Sequence, residues 1–139
     1  MTHDLEDLKA IWLDLMAHVE QLAGERQHYL DFFEQSPEAY VISEADGTIR
    51  DANPAAVDIL QCRRRSLRGK PLATFVALER RAEFRTRMNA VAARASPAEG
   101  CWRTIFVAAG ERTEVTLTAR PVERQGIVGG LCWRLEAMQ

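Results

Sequence analysis

The sequence is poor in the residues that build metal, haem and disulfide sites. Its 139 residues include only three cysteines, none of them in a CxxC pair, and three histidines. The histidines, His3, His18 and His28, are separated by 15 and 10 residues, a spacing that matches no metal-ligand pattern. We therefore expect no metal site, and we expect the cysteines to be small buried hydrophobic residues in a reducing compartment.

Long apolar runs and an excess of one charge are also missing. No run of roughly 18 apolar residues is present, so the sequence predicts no transmembrane helix. Asp4, Glu6 and Asp7 precede the first apolar segment, which is opposite in sign to the basic start of a secretory signal. The net charge of −2 gives no reason to expect nucleic acid or an anionic membrane. These features predict a cytoplasmic protein that binds neither nucleic acid nor membrane.

Sequence motifs of catalysis are absent as well. The chain has no GxSxG, no HExxH and no P-loop, and no serine has a plausible histidine partner. We therefore expect that the protein is not an enzyme. Its hydrophobic content of 47% and charged content of 27% are those of an ordinary globular chain, and its length suits one domain with one additional long helix.

Residues 3–35 predict one long helix with a narrow apolar stripe. Apolar residues recur there at alternating spacings of three and four, which is the heptad pattern of a coiled coil. Two interpretations are open: a parallel coiled coil that makes the protein a homodimer, or a helix that folds back on the sheet of its own domain. Both can hold together. The predicted dimer interface consists of Leu5, Leu8, Trp12, Leu15, Val19 and Leu22.

A pattern of two short strands and a turn follows this helix. Residues 39–43 and 48–52 predict the strands, with Asp46 and Gly47 between them. The Asp-Gly pair favours a type I′ turn, because both central residues of that turn need positive φ. Asn53 then predicts a helix start, since its side chain can accept a hydrogen bond from the first turn.

The remaining elements are one helix and three strands. Residues 77–95 predict a helix, because Phe84, Met88 and Val91 recur at helical spacing. A three-residue turn at Ala109-Gly110-Glu111 is expected between the first two strands. The predicted strands are residues 101–107, 113–119 and 127–135.

Five basic residues are concentrated between positions 63 and 70. They suggest either an anion site or a solvated polar loop. No glycine-rich phosphate cradle accompanies them, so the sequence favours the loop. The basic cluster consists of Arg63, Arg64, Arg65, Arg68 and Lys70.

In this order the elements resemble the PAS domain, the small sensory fold of bacterial signalling proteins. The similarity lies in the two strands with an Asp-Gly turn, in Asn53 opening the next helix, and in the Leu67, Gly69 and Leu72 step. The resemblance implies an α+β fold, with a five-stranded antiparallel sheet and helices on one face, preceded by the long N-terminal coiled-coil helix. It divides the chain into an N-terminal helix for dimerisation or capping, residues 1–29, and a PAS domain, residues 30–139.

The resemblance also implies a ligand site between the sheet and the 77–95 helix. Strand alternation assigns apolar residues to an inner face toward that helix and to an outer face away from it. The predicted ligand-binding residues, expected inside together with Val128, are Val41, Phe84, Met88, Val91, Ile105, Val115, Leu117 and Cys132. The predicted outer face, which would need the N-terminal helix of this chain or of a partner as its cover, carries Tyr40, Ile42, Trp102, Phe106, Leu131 and Trp133.

PAS domains often carry haem or flavin, but the residues here favour neither. Residues 77–95 contain no histidine or cysteine that could ligate haem iron. The Asn-Cys-Arg motif of the light-sensing flavin subfamily is missing as well. We therefore expect no haem and no covalent flavin, while a non-covalent flavin or another small molecule stays open.

Taken as a PAS domain, the chain is expected to be a dimeric sensor. A small apolar ligand would shift the population between two packings, and the coiled coil would pass that shift to a downstream signalling domain or partner protein. The alternative is a ligand-free PAS module with a closed core that only dimerises and docks a partner. The volume enclosed beneath the helix distinguishes the two.

Overall fold

The computed structural model describes most of the chain after residue 29. Two units make up the chain, Met1–Glu34 and Gln35–Gln139. The described residues are 30–93, 100–124 and 127–138, except for the side chain of Arg124.

The described part of the first unit is helical. Residues 30–35 are helical and lie within the range that the sequence predicts as helical. The predicted dimer interface from Leu5 to Leu22 lies outside the described residues. Among the residues that are described, no helix combines the length and the apolar character needed to cross a bilayer.

The second unit is built on a five-stranded antiparallel sheet. Its strands are β1 (Ala39–Ser43), β2 (Ile49–Ala52), β3 (Gly100–Ala108), β4 (Glu111–Arg124) and β5 (Ile127–Ala137). They lie in the order β2-β1-β5-β4-β3, so the first and the last strand of the unit pair with each other. This confirms the predicted α+β fold.

Beyond residue 35, the helices that the structure describes fall between β2 and β3 in the sequence. They are α1 (Pro54–Leu60), α2 (Arg64–Leu67) and α3 (Arg81–Ala92), with 3-10 turns at Leu72–Phe75 and Leu78–Arg80. Helix α3 contacts β3, β4 and β5, and we call the sheet face that it covers the inner face. The helix begins later than predicted, because residues 78–80 form a 3-10 turn.

The loop between β1 and β2 is not the predicted type I′ turn. Gly47 has a φ of 90°, but Asp46 does not adopt a positive φ. The Gly47 N–H donates to the Glu44 carbonyl at 3.0 Å, and the Glu44 N–H donates to the Thr48 carbonyl at 2.8 Å. The loop is therefore longer than two residues, and only the glycine takes the left-handed conformation.

A two-residue turn with two positive φ angles is found instead between β3 and β4. Ala109 has a φ of 51° and Gly110 a φ of 81°, and the flanking residues Ala108 and Glu111 are paired. This is the geometry that a type I′ turn requires. Because the turn is one residue shorter than predicted, Trp102 pairs with Leu117.

Strand β5 carries one extra residue relative to β4. Glu123 pairs with Val128, whereas Val122 pairs with Gly130, so Gly129 is left over as a β-bulge. The backbone of β1 passes close by, since a Cβ atom at Gly130 would lie 2.5 Å from the Ser43 carbonyl oxygen. Beyond the bulge Ala119 pairs with Trp133.

Asn53 joins β1 to α1 with both ends of its amide. Its Oδ1 accepts hydrogen bonds from the Ala56 N–H at 3.0 Å and from the Tyr40 N–H at 2.9 Å. Its Nδ2 donates to the Glu38 carbonyl at 2.8 Å, and the side chain is fully buried. The predicted helix cap is confirmed, and the same amide fixes the start of β1.

We expect Asn53→Ala to lower the free energy of unfolding by about 2–4 kcal/mol. A lost cap costs about 1 kcal/mol, and a buried backbone group left unpaired costs about 1–3 kcal/mol. Urea unfolding measures the change. Asn89→Ala, at an exposed position of α3, is the control and should stay within about 0.5 kcal/mol. A loss near 1 kcal/mol for Asn53→Ala would mean that the ties to β1 contribute nothing.

An ion pair connects α2 to β2. Arg64 donates to both carboxylate oxygens of Asp51, at 2.8 and 2.9 Å, and Arg68 lies 3.7 Å from the same carboxylate. Burial alone would raise the pKa of Asp51, but the hydrogen bonds from Arg64 and Ala52 and the two guanidinium charges lower it overall. Two members of the basic cluster thus anchor α2.

The ion pair between Asp51 and Arg64 should make the free energy of unfolding depend on pH. A lowered folded-state pKa means that the stabilisation is present above the ordinary carboxyl pKa and is lost as the pH falls through the lowered value. At pH 7 the free energy of unfolding of the wild type should therefore be about 1 kcal/mol higher than that of Asp51→Asn. This difference should disappear in acid. Urea unfolding across this range measures it, with Asp58→Asn on α1 as the control. A gap that is constant with pH would contradict the ion pair.

Candidate functional site

Six of the eight predicted ligand-binding residues come together between the inner face and α3. Three come from strands and three from the helix, and each is at most 5% exposed. Their burial follows from two regular patterns, the alternation of β1 and β4 and the three- and four-residue spacing along α3. These residues are Val41, Val115, Leu117, Phe84, Met88 and Val91.

The other two predicted residues lie on the wrong side of the sheet. Ile105 pairs with the exposed Glu114, and Cys132 pairs with Ile42 and Arg120. Cys132 also lines a shallow depression of the outer face, about 240 Å³ in volume. Val128 lies outside the inner cluster as well. These assignments were wrong because a one-residue change of register turns every following side chain to the opposite face.

Two tryptophans lie on the inner face where Ile105 and Cys132 were expected. The Trp133 ring stacks on Phe84 of α3, with centroids 5.3 Å apart and planes 16° apart. Trp102 meets the Trp133 ring edge-on at 5.8 Å and the Phe84 ring at 6.1 Å. We call these three rings the aromatic cluster. The expected outer-face position of Trp102, Phe106, Leu131 and Trp133 is therefore wrong, since all four are buried inside.

The indole N–H of Trp133 has a hydrogen-bond partner. Its Nε1–H donates to Ser43 Oγ at 2.8 Å, and the Ser43 hydroxyl donates to the Glu44 carbonyl at 2.8 Å. Neither Trp133 nor Ser43 is exposed to solvent. This chain of hydrogen bonds connects β5 to the end of β1.

Trp102 differs from Trp133 in this respect. It is 6% exposed, yet its Nε1 atom has no hydrogen-bond partner, alone among the buried side-chain nitrogen and oxygen atoms of the described residues. An indole nitrogen can only donate. The inner face therefore contains one buried donor that forms no hydrogen bond within the described part of the chain.

Glycines set how closely the neighbouring elements approach this cluster. A Cβ atom at Gly100 would lie 2.6 Å from Val91 Cγ2 and 3.1 Å from Trp102 Cζ3. A Cβ atom at Gly47 would lie 2.8 Å from Met88 Sδ. The missing side chains at the start of β3 and in the β1–β2 loop thus make room for α3.

Charge is confined to the rim of the cluster. The Arg87 guanidinium lies 5.9 Å from the centre of the Trp102 ring, a cation–π distance, and Arg87 Nε donates to Glu83 at 3.2 Å. The buried polar side chains of the described residues are Ser43, Asn53 and Thr104. As far as the structure describes it, the inner face is thus mostly apolar and contains no acid–base pair.

The expectation of buried cysteines is wrong, since Cys101 is exposed and Cys62 and Cys132 are half-buried, although Cys62 packs against the core. Burial raises the pKa of the Cys132 thiol, partly offset by Arg120, so this thiol is a weak nucleophile. Within the described ranges, no group of three histidine, cysteine, aspartate or glutamate side chains is placed to hold a metal ion.

Sequence reasoning missed Trp102 and Trp133 as inner-face residues. A two-residue turn at Ala109-Gly110 would have paired Trp102 with Leu117 and put both inside. For β5 the available signal was the Gly129-Gly130 pair, because glycine in the interior of a strand often marks a bulge.

Solved structures with the same fold come from several signalling proteins. The PAS domain of an HTR-like protein from Haloarcula marismortui is 14% identical, with a TM-score of 0.70, and the match covers 88% of this chain and 99% of that one. A domain of a sensory box sensor histidine kinase/response regulator from Geobacter sulfurreducens is 16% identical, with a TM-score of 0.68, covering 83% and 96%.

A third similar structure was solved with a small molecule. It is the PAS domain of a LuxR-family transcriptional regulator from Burkholderia thailandensis in complex with ethanol, 23% identical with a TM-score of 0.61, covering 79% of this chain and 96% of that one. The comparison with curated proteins found no match. A family model described as the PAS fold matches residues 33–139, which is well over half of the sequence, and the chain therefore belongs to the PAS family.

Proposed function

We propose that this chain is the sensory domain of a signal-transduction protein and that a small, mostly apolar molecule binds between the inner face and α3. The observation that carries the proposal is the aromatic cluster of Phe84, Trp102 and Trp133 beneath the helix. Small-molecule sites in proteins are lined mainly by apolar and aromatic side chains with a few polar groups. The inner face has this composition.

Met88 is the residue that would make room for the ligand. It is 5% exposed and its sulfur sits over Gly47. A methionine side chain is unbranched and adapts its shape more readily than its neighbours Phe84 and Val91. Its displacement would move α3 relative to the β1–β2 loop, which gives a ligand a way to change the domain.

The ethanol complex of the Burkholderia thailandensis domain supports a search among small neutral molecules. That ligand belongs to the other protein, and the identity between the two chains is only 23%. We take from it the size class that deserves testing first, namely small alcohols and ketones.

Signal output is the second part of the proposal. The heptad stripe from Leu5 to Leu22 would form a coiled coil in a homodimer, and a ligand-dependent population shift would pass along it. A cytoplasmic location and a downstream signalling domain or partner protein belong to the same proposal. The domain would act by binding and not by catalysis.

A ligand-free interaction module is the second candidate. The close ring contacts of the aromatic cluster, 5.3–6.1 Å between centroids, and the 1% exposure of Phe84 favour a closed core. A closed core would serve to dimerise the chain and to dock a partner. Ligand response separates the two candidates.

A panel of small alcohols and ketones should raise the melting temperature of the purified protein, since a ligand that binds only the folded state stabilises it by mass action. Native mass spectrometry should show the bound mass. Met88→Ala should cost about 2–5 kcal/mol without ligand and should change the ligand-induced shift. Met138→Ala, at a site that is 43% exposed, is the matched control. No response to any compound in either protein would favour the ligand-free module.

Leu15→Asp should dissociate the homodimer, because an unpaired charge in an apolar seam is strongly unfavourable. Size-exclusion chromatography with light scattering gives the mass of each species. Gln21→Asp adds the same charge outside the predicted seam and should leave the dimer intact. A Leu15→Asp protein that remains dimeric would show that the seam is not the interface.

A further inference from the structure

The two tryptophans of the inner face differ in the hydrogen bonding of their indole N–H groups. Both are buried and both contact Phe84. Trp133 donates its indole hydrogen to Ser43, whereas Trp102 donates its own to no atom of the residues that the structure describes. Buried donors without an acceptor are rare in folded proteins, because each has lost its bond to water without gaining another.

The packing of the Trp102 ring shows which edge is the unused one. Atoms Cζ3 and Cε3 lie over Gly100, 3.1 and 3.6 Å from the position of an ideal Cβ there. The Nε1 atom is on the opposite edge of the indole, so the unused donor is directed away from Gly100. A residue such as phenylalanine would have filled an apolar site without this cost.

The surroundings of this donor define what could reach it. Phe84 and Arg87 of α3 lie 6.1 and 5.9 Å from the Trp102 ring centre, and Thr104, two residues further along the same face of β3, is buried. Arg87 is paired with Glu83 and half exposed, so it does not supply a buried positive charge. An anion would lack a buried counter-charge, which makes its burial costly.

We propose that the ligand of the inner face is a neutral molecule with a carbonyl or hydroxyl oxygen, and that this oxygen accepts a hydrogen bond from Trp102 Nε1. This inference rests on the proposed function, since it specifies the ligand class of the same site. The apolar remainder of the molecule contacts Phe84, Met88 and Val91. Trp102 thus selects for an acceptor, while the helix selects for an apolar body.

The test compares two probes of nearly equal shape. Cyclohexanone has an acceptor oxygen, and methylenecyclohexane replaces that oxygen with a CH₂ group. Both are titrated into the ¹⁵N-labelled wild-type protein, and the indole N–H resonances are followed after sequential assignment. Cyclohexanone should move the Trp102 indole resonance downfield and leave that of Trp133 nearly unchanged, while methylenecyclohexane should not. Relative to methylenecyclohexane, cyclohexanone should bind about two- to tenfold more weakly to Trp102→Phe than to the wild type, as expected for the loss of one hydrogen bond.

A variant gives a second measurement. Trp102→Phe serves for this comparison, because a change in the shape of the site acts on both probes and largely cancels in the ratio of their affinities. The wild-type titration stands by itself if this variant does not fold. An unchanged ratio of the two affinities in Trp102→Phe, or Met88 methyl shifts in ¹³C-methyl-labelled wild type beside an unchanged Trp102 indole resonance, would overturn this inference and leave the proposed function in place. Failure of both probes to bind, with no Met88 methyl shift, would overturn both.

Discussion

The Trp133 side chain is the contact on which the interior of this domain depends. Its ring stacks on Phe84 of α3, and its N–H is bonded to Ser43 at the end of β1, so one residue of β5 ties the central strand pair to the covering helix. Stacked aromatic rings contribute more than their buried area alone. The distance between sheet and helix, and therefore any space for a ligand, is set by this stack.

The same stack explains why the polar group of Trp102 matters. On the β1 side of the described interior, the Trp133 N–H donates a hydrogen bond to Ser43. On the β3 side, the Trp102 N–H has no acceptor among the described residues. Strand β3 is an edge strand of the sheet, and Gly100 at its start allows Val91 and Trp102 to approach each other. The unpaired donor thus lies on an edge strand of the sheet, whereas the Trp133 stack lies on the central strand.

The sequence was sufficient for the order of the strands, for the Asn53 cap and for the core side of α3, β1 and β4. It was wrong at Arg64–Leu67, where it favoured a solvated loop and the structure has α2. Helical spacing in α3 depends on no neighbour, so Phe84, Met88 and Val91 could be assigned from the pattern alone. The faces of β3 and β5 depend on pairing, and each was displaced by one residue. The Ala109-Gly110 turn is shorter than expected, and the bulge at Gly129 adds a residue to β5. Alternation alone cannot fix which face is buried, because both faces of these strands carry apolar residues.

The exchange of inner and outer faces in β3 and β5 changes the reason for expecting a coiled coil. With Trp102, Phe106, Leu131 and Trp133 inside, the outer face retains smaller apolar side chains such as Ile42 and Val107, 37% and 36% exposed, which are ordinary on a protein surface. The outer face therefore no longer requires a helix as its cover. The helix that the sequence predicts from Leu5 to Leu22 would still need a partner, because a helix cannot bury its own apolar stripe. Of the two interpretations of that stripe, the one that uses a second copy of the chain is now favoured.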